Sequence, residues 1–185
     1  MNIILIGNRC TGKTATGRHL AARLGLSFHD TDELIARQTG RTVEEIVTEQ
    51  GWPSFREAEH AVIAALSRTD RGVIALGGGA VLDTRNVENL RGNGLFVWLT
   101  ADAGTIADRM GNDPSGGPQR PSLTGRPSIV EVEEILAERE PLYRRLAVLA
   151  VDTTASGAEG VAEAICTGLR EWVPQAEEII GRKEK

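Results

Sequence analysis

Only two cysteines, Cys10 and Cys166, occur in 185 residues, and neither belongs to a C-x-x-C pair. Disulfides therefore supply no framework. The three histidines, His19, His29 and His60, are scattered, and no spacing among them or the cysteines resembles a zinc site. No apolar run approaches the ~18 residues of a membrane span. The opening Met1-Asn2-Ile3-Ile4-Leu5 lacks the charged, apolar and small-residue regions of a secretory signal. Positive charge is not in excess either: 21 Lys and Arg against 26 Asp and Glu give a net charge of −5. Without a basic stripe there is no electrostatic footprint for nucleic acid. A soluble, cytoplasmic protein is expected, with neither nucleic acid nor membrane as partner.

What is present suits a globular chain. Hydrophobic residues make up 41% and charged residues 25%, within the ordinary range. At 19.9 kDa, folding removes roughly 20,000 Å² from water, enough for a core without metals or disulfides. One domain spanning residues 1–185 is expected, with no internal repeat and no linker, and a monomer is the default. Glycine is over-represented at 21 residues, so backbone is expected to approach something closely at several places.

Strand and helix patterns alternate. Ile3-Ile4-Leu5-Ile6 reads as a strand buried on both faces. A helix ends near Gly25, a short strand covers 26–29, and Asp30-Thr31-Asp32 opens a helix through about Gln38. Two helices follow between Thr42 and Arg68, parted near Gly51-Trp52-Pro53, the first with a Thr42/Glu45 capping box. Strands are expected at 73–76, 95–99 and 148–151, and helices at 83–91, 102–111, 128–145 and 158–171. Residues 111–127 hold four glycines and four prolines and read as a long functional loop. Residues 174–184 read as a helical extension. The alternation argues an α/β fold with a parallel sheet covered on both faces.

Gly7-Asn8-Arg9-Cys10-Thr11-Gly12-Lys13-Thr14 matches G-x-x-x-x-G-K-[ST], between an apolar strand and a helix. Backbone N–H groups of Arg9, Cys10, Thr11 and Gly12, with the helix N-terminus, would cradle phosphates. Lys13 would reach the β- and γ-phosphates of a nucleotide, and the Thr14 hydroxyl would hold Mg²⁺. The N-K-x-D motif of a switch GTPase and the D-G-x-P-R of an adenylate-kinase-like lid are both missing. The acceptor must decide the class.

Three further features bear on the acceptor, each with a plainer alternative. Asp30 and Asp32 follow the second strand, beside the phosphates, where ligands gather at the carboxyl ends of parallel strands; they could also be a helix cap and a dipole-favoured first-turn acid. Arg56 and Glu59 are i, i+3 neighbours, so Glu59 can hold a guanidinium for a carboxylate, or the two form a surface ion pair. Gly77-Gly78-Gly79 ends a strand and admits a ligand or the phosphate loop without Cβ collisions, unless it is a flexible turn.

Taken together these motifs resemble the shikimate kinase family, over essentially the whole length from strand one to the helix after strand five. The matching residues are Gly12-Lys13-Thr14, the D-T-D at 30–32, the F-R-x-x-E at 55–59 and the G-G-G at 77–79. Arg120-Pro121 and Arg139-Glu140-Pro141-Leu142-Tyr143 complete the set. The resemblance implies a three-layer P-loop kinase fold with a five-stranded parallel sheet in the order 2-3-1-4-5. It implies a helical acceptor-binding insertion at about 30–68 and a mobile lid at about 111–127. The reaction implied is Mg²⁺-assisted transfer of phosphate from ATP to the 3-hydroxyl of shikimate. Asp32 would orient or deprotonate that hydroxyl, and Arg56 and Arg139 would hold the carboxylate, with Glu59 behind Arg56. The Gly77–Gly79 turn would supply a backbone contact at Gly78. Arg120 would reach the transferring phosphate, Arg109 would flank the adenine, and Asp30 would approach Mg²⁺ through water.

The chain also departs from the family. Cys10 stands where the family often has glycine, so the turn must accept a side chain. Thr153-Thr154-Ala155-Ser156 lacks an arginine that some members place near adenine, leaving base recognition to backbone and Arg109. Trp52, four residues before Arg56, either borders the acceptor pocket or packs in the core. Two other classes remain open: a kinase for another small metabolite, such as gluconate, and a nucleotide-binding module without activity.

Overall fold

The computed structural model describes residues 1–112 and 129–172. Five strands, β1 (Asn2–Ile6), β2 (Ser27–Asp30), β3 (Gly72–Ala75), β4 (Gly94–Thr100) and β5 (Leu149–Asp152), form one sheet in the order β2-β3-β1-β4-β5. Every neighbouring pair is parallel, so each connection must cross over the sheet, and helices fill those crossovers. This is the expected fold class and strand order.

Successive residues of a strand point to opposite faces, and β1 shows the consequence. Ile4 and Ile6 join Ile74, Leu76, Phe96 and Trp98 in one apolar layer. That layer packs under α2 (Thr31–Thr39), α3 (Val43–Leu66), α4 (Thr84–Arg91) and α6 (Ile129–Leu146). Ile3 and Leu5 face the other way, against Leu20 of α1 (Lys13–Leu24) and Val161, Ile165 and Leu169 of α7 (Ala158–Trp172). α5 (Ala103–Asn112) follows β4. No helix among the described residues is long and apolar enough to cross a membrane.

The expected break near Gly51 is a kink inside α3: Gly51 leaves the helical region at φ 82°, ψ 167°. Pro53 follows in the first turn of the second half, where a missing N–H is least costly. The Thr42–Glu45 capping box forms in both directions. β2 ends one residue later than the sequence suggests, at Asp30, and α5 takes in Gly111 and Asn112 at the start of the expected loop. A 3-10 turn at Ala80–Leu82, directly after the glycines, was too short to leave a periodic signal. The rest of the expected lid, with Arg120, and the expected extension at 174–184 lie outside the described residues.

Candidate active site

The loop between β1 and α1 wraps around its own carbonyls. Lys13 Nζ donates to the Gly7 carbonyl at 3.0 Å and to the Asn8 carbonyl at 2.6 Å. The Thr11 hydroxyl donates to the same Asn8 carbonyl at 2.9 Å. Asn8 Oδ1 accepts the Arg9 N–H at 2.9 Å. Gly12 immediately precedes α1 in the left-handed region, at φ 85°, which glycine adopts freely. Cys10 sits at φ 60°, a conformation that costs a residue with a Cβ roughly 1–2 kcal/mol. The sequence therefore places a side chain where the turn itself favours glycine.

Arg109 approaches this loop from α5. Its Nη2 donates to the Thr153 carbonyl at 2.6 Å, and its Nη1 to Thr153 Oγ1 at 3.0 Å and the Cys10 carbonyl at 3.4 Å. Thr153, one of the residues standing where an arginine is missing, is buried and fixes Arg109 instead.

Asp30 is the helix cap that the sequence allowed, and its second oxygen reaches the end of the phosphate loop. Oδ1 accepts the N–H groups of Asp32 at 2.9 Å and Glu33 at 3.3 Å, capping α2. Oδ2 accepts the Thr14 hydroxyl at 2.6 Å. Asp32 stands in the first turn of α2, where the N-terminal dipole favours a carboxylate.

Arg56 and Glu59 are not a surface pair. Arg56 Nη1 meets Glu59 Oε2 at 2.5 Å, and Glu59 is completely buried. A guanidinium held this way presents its remaining N–H groups in a fixed plane. The Arg56 guanidinium lies over the Trp52 ring, 5.5 Å from the ring centroid, and Trp52 also packs against the core.

The glycines after β3 are where the elements meet. A Cβ on Gly79 would overlap the Arg56 guanidinium, and one on Gly78 would sit 3.2 Å from the Arg9 nitrogen and 3.5 Å from Arg139 Nη1. Arg139 Nη1 also lies 3.5 Å from Asn8 Oδ1, and its Nε is buried with no hydrogen-bond partner among the described residues. Thus Arg56 from α3 and Arg139 from α6 stand against consecutive glycines, next to the phosphate loop.

Four residues of this site carried no assignment in the sequence reading: Asn8, Thr31, Tyr143 and Thr153. Thr31 Oγ1 accepts the Gly77 N–H at 3.0 Å, and the Tyr143 hydroxyl donates to the Gly78 carbonyl at 2.5 Å. Burial pushes the Tyr143 phenol above its ordinary value, partly offset by the neighbouring Arg139 charge. The i, i+4 relation of Tyr143 to Arg139 was the available signal.

A family model described as shikimate kinase matches residues 9–170. A shikimate kinase of Syntrophus aciditrophicus is 47% identical over 161 residues, covering 83% of each chain. The chain belongs to the shikimate kinase family. A second shikimate kinase, from Oleidesulfovibrio alaskensis, is 43% identical over 156 residues, 84% of this chain and 90% of its own. Among solved structures, a shikimate kinase from Acinetobacter baumannii in complex with shikimate superposes with a TM-score of 0.85 at 34% identity. That match covers 92% of this chain and 93% of the other. Shikimate kinases are phosphotransferases with an alcohol acceptor and ATP as co-substrate, so the reaction class and the P-loop kinase fold follow for this chain. The gluconate-kinase and inactive-module alternatives give way to that membership.

Proposed function

We propose that this chain transfers the γ-phosphoryl group of ATP to the 3-hydroxyl of shikimate, giving 3-phosphoshikimate and ADP. The observation that carries this reading is the meeting of Arg56 and Arg139 against Gly78 and Gly79. Two guanidiniums from different helices, one held by a buried carboxylate, suit a carboxylate ligand better than a neutral sugar. In a chain of net charge −5, such local cations are what attract two anionic substrates.

Each site residue takes a role in this reading. Backbone N–H groups of Arg9 to Gly12 and the α1 N-terminus hold the phosphates, with Lys13 swinging from the loop carbonyls to the β- and γ-oxygens. Arg109 flanks the base. Arg56 and Arg139 hold the acceptor carboxylate, Glu59 keeps Arg56 in plane, and Gly77 to Gly79 let the ring approach backbone. Asp32 takes the proton of the 3-hydroxyl as that oxygen bonds to the γ-phosphorus and the bridge to ADP breaks. Arg120, outside the described residues, is assigned to the transferring phosphate.

Thr14 and Asp30 offer hard oxygen donors beside each other, the donor type Mg²⁺ prefers. Among the described residues no group of three His, Cys, Asp or Glu could cage a metal, which suits an ion that keeps waters and substrate phosphates as ligands. When bound, Mg²⁺ neutralises charge on the phosphates. Thr14 would ligate it, and Asp30 would hold one of its waters. A single-domain, monomeric, cytoplasmic enzyme completes the reading. Phosphorus–proton NMR correlation of the product tests it: coupling of the new phosphate to the proton on C3 is expected, and coupling elsewhere on the ring contradicts it.

A further inference from the structure

The Gly77–Gly79 turn has no Cβ of its own to restrict it, so its shape must be imposed from outside. Thr31, fully buried between Asp30 and Asp32, accepts the Gly77 N–H at 3.0 Å. Tyr143, 1% exposed, donates to the Gly78 carbonyl at 2.5 Å. These two bonds fix the peptide groups on either side of the Gly77–Gly78 peptide. Two further features make them directional. The Tyr143 ring is set by Trp98, 6.0 Å away and tilted by 32°, and Tyr143 lies one helical turn beyond Arg139 on α6. Thr31 sits in the first turn of α2 with Asp32. Each bond therefore ties the glycine turn to an element bearing an acceptor-site side chain.

We infer that Thr31 and Tyr143 are positioning residues that clamp the glycine turn, setting the Gly78 backbone and the spacing of Arg56 and Arg139 for the acceptor carboxylate. This rests on the functional reading above. Neither residue touches the reacting atoms. Loss of either bond lets the turn rotate, and the effect falls on acceptor affinity rather than on the transfer step.

The test compares Tyr143→Phe, which keeps the ring on Trp98, with Thr31→Val and Thr31→Ser. A hydrogen bond of ordinary strength corresponds to an increase of about fivefold in KM for shikimate in Tyr143→Phe and Thr31→Val. KM for ATP and kcat are expected to stay within about twofold, and Thr31→Ser to restore KM. A purely structural role would lower Tm and the active fraction, hence apparent kcat, while leaving KM in place. An unmoved KM for shikimate in Tyr143→Phe and Thr31→Val overturns the clamp. If Tyr143→Phe does not fold, the Thr31 pair decides alone. Amide exchange at Gly77 in the ligand-free protein supplies a readout independent of substrate: faster in Thr31→Val and normal in Thr31→Ser if the clamp holds, unchanged in both if it does not. Wild type inert toward shikimate defeats the functional reading before any variant is made, so the two failures are distinct.

Discussion

The Thr14 hydroxyl and one oxygen of Asp30 lie 2.6 Å apart, while the other Asp30 oxygen caps α2. A single carboxylate thus joins the end of the phosphate loop to the start of the helix bearing Asp32. Replacing it by asparagine separates the two duties. Asn caps helices about as well as Asp, so Asp30→Asn is expected to keep its Tm within a few degrees. The Mg²⁺ concentration for half-maximal rate is expected to rise about tenfold or more. An unchanged Mg²⁺ requirement would remove Asp30 from the metal side.

Asp32→Ala tests the proton acceptor. A positioned general base contributes about 10²- to 10⁴-fold, so kcat is expected to fall by that factor. ATP affinity, measured by calorimetry, should be kept. Near-normal turnover would exclude Asp32 from the chemistry.

Arg56 has two partners to lose, its acceptor and Glu59. Because Glu59 is completely buried, Arg56→Ala removes the guanidinium facing a buried carboxylate, at about 3–5 kcal/mol of stability. KM for shikimate should rise roughly 10- to 100-fold, as for a charged hydrogen bond of about 1.5–3 kcal/mol. In the double variant Arg56→Ala with Glu59→Gln, most of the stability should return and the KM should not. Denaturant unfolding and steady-state kinetics read the two effects separately. Recovery of KM along with stability would mean that Arg56 acts only through the fold.

Tyr143 is the chain's single tyrosine, so tyrosinate absorbance reports it alone. Burial raises its pKa above the ordinary 10.0, which means that the folded state favours the protonated phenol. Its contribution to stability is level below about pH 10 and declines as pH rises beyond that value, where the unfolded chain releases the proton first. Tyrosinate should therefore appear together with loss of the near-ultraviolet circular dichroism of the fold. Titration near pH 10 in an intact fold would contradict the burial.

The sheet was legible because its apolar strands are short, separate and bounded by glycine or by capping residues. Ile3 to Ile6 and Val73 to Leu76 leave little choice but burial on both faces. The phosphate loop was legible because its glycines and Lys13 are demanded by backbone geometry. The acceptor side was legible only as residues in family order. That Arg56 and Arg139 converge on Gly78 and Gly79 depends on packing of α3 and α6, which no local spacing encodes. Thr31 and Tyr143 went unassigned for the same reason, since each acts through a bond to backbone distant in sequence. Cys10 was noticed as an oddity, and its φ of 60° shows the physical reason why glycine suits that position.

The most direct test of the account is ADP release from MgATP with shikimate, shikimate methyl ester, quinate and gluconate compared. Strong stimulation by shikimate, and at least about tenfold weaker apparent affinity for the ester that cannot pair with two guanidiniums, is the result expected. Equal use of the ester would contradict carboxylate capture by Arg56 and Arg139, and stimulation by gluconate alone would overturn the acceptor.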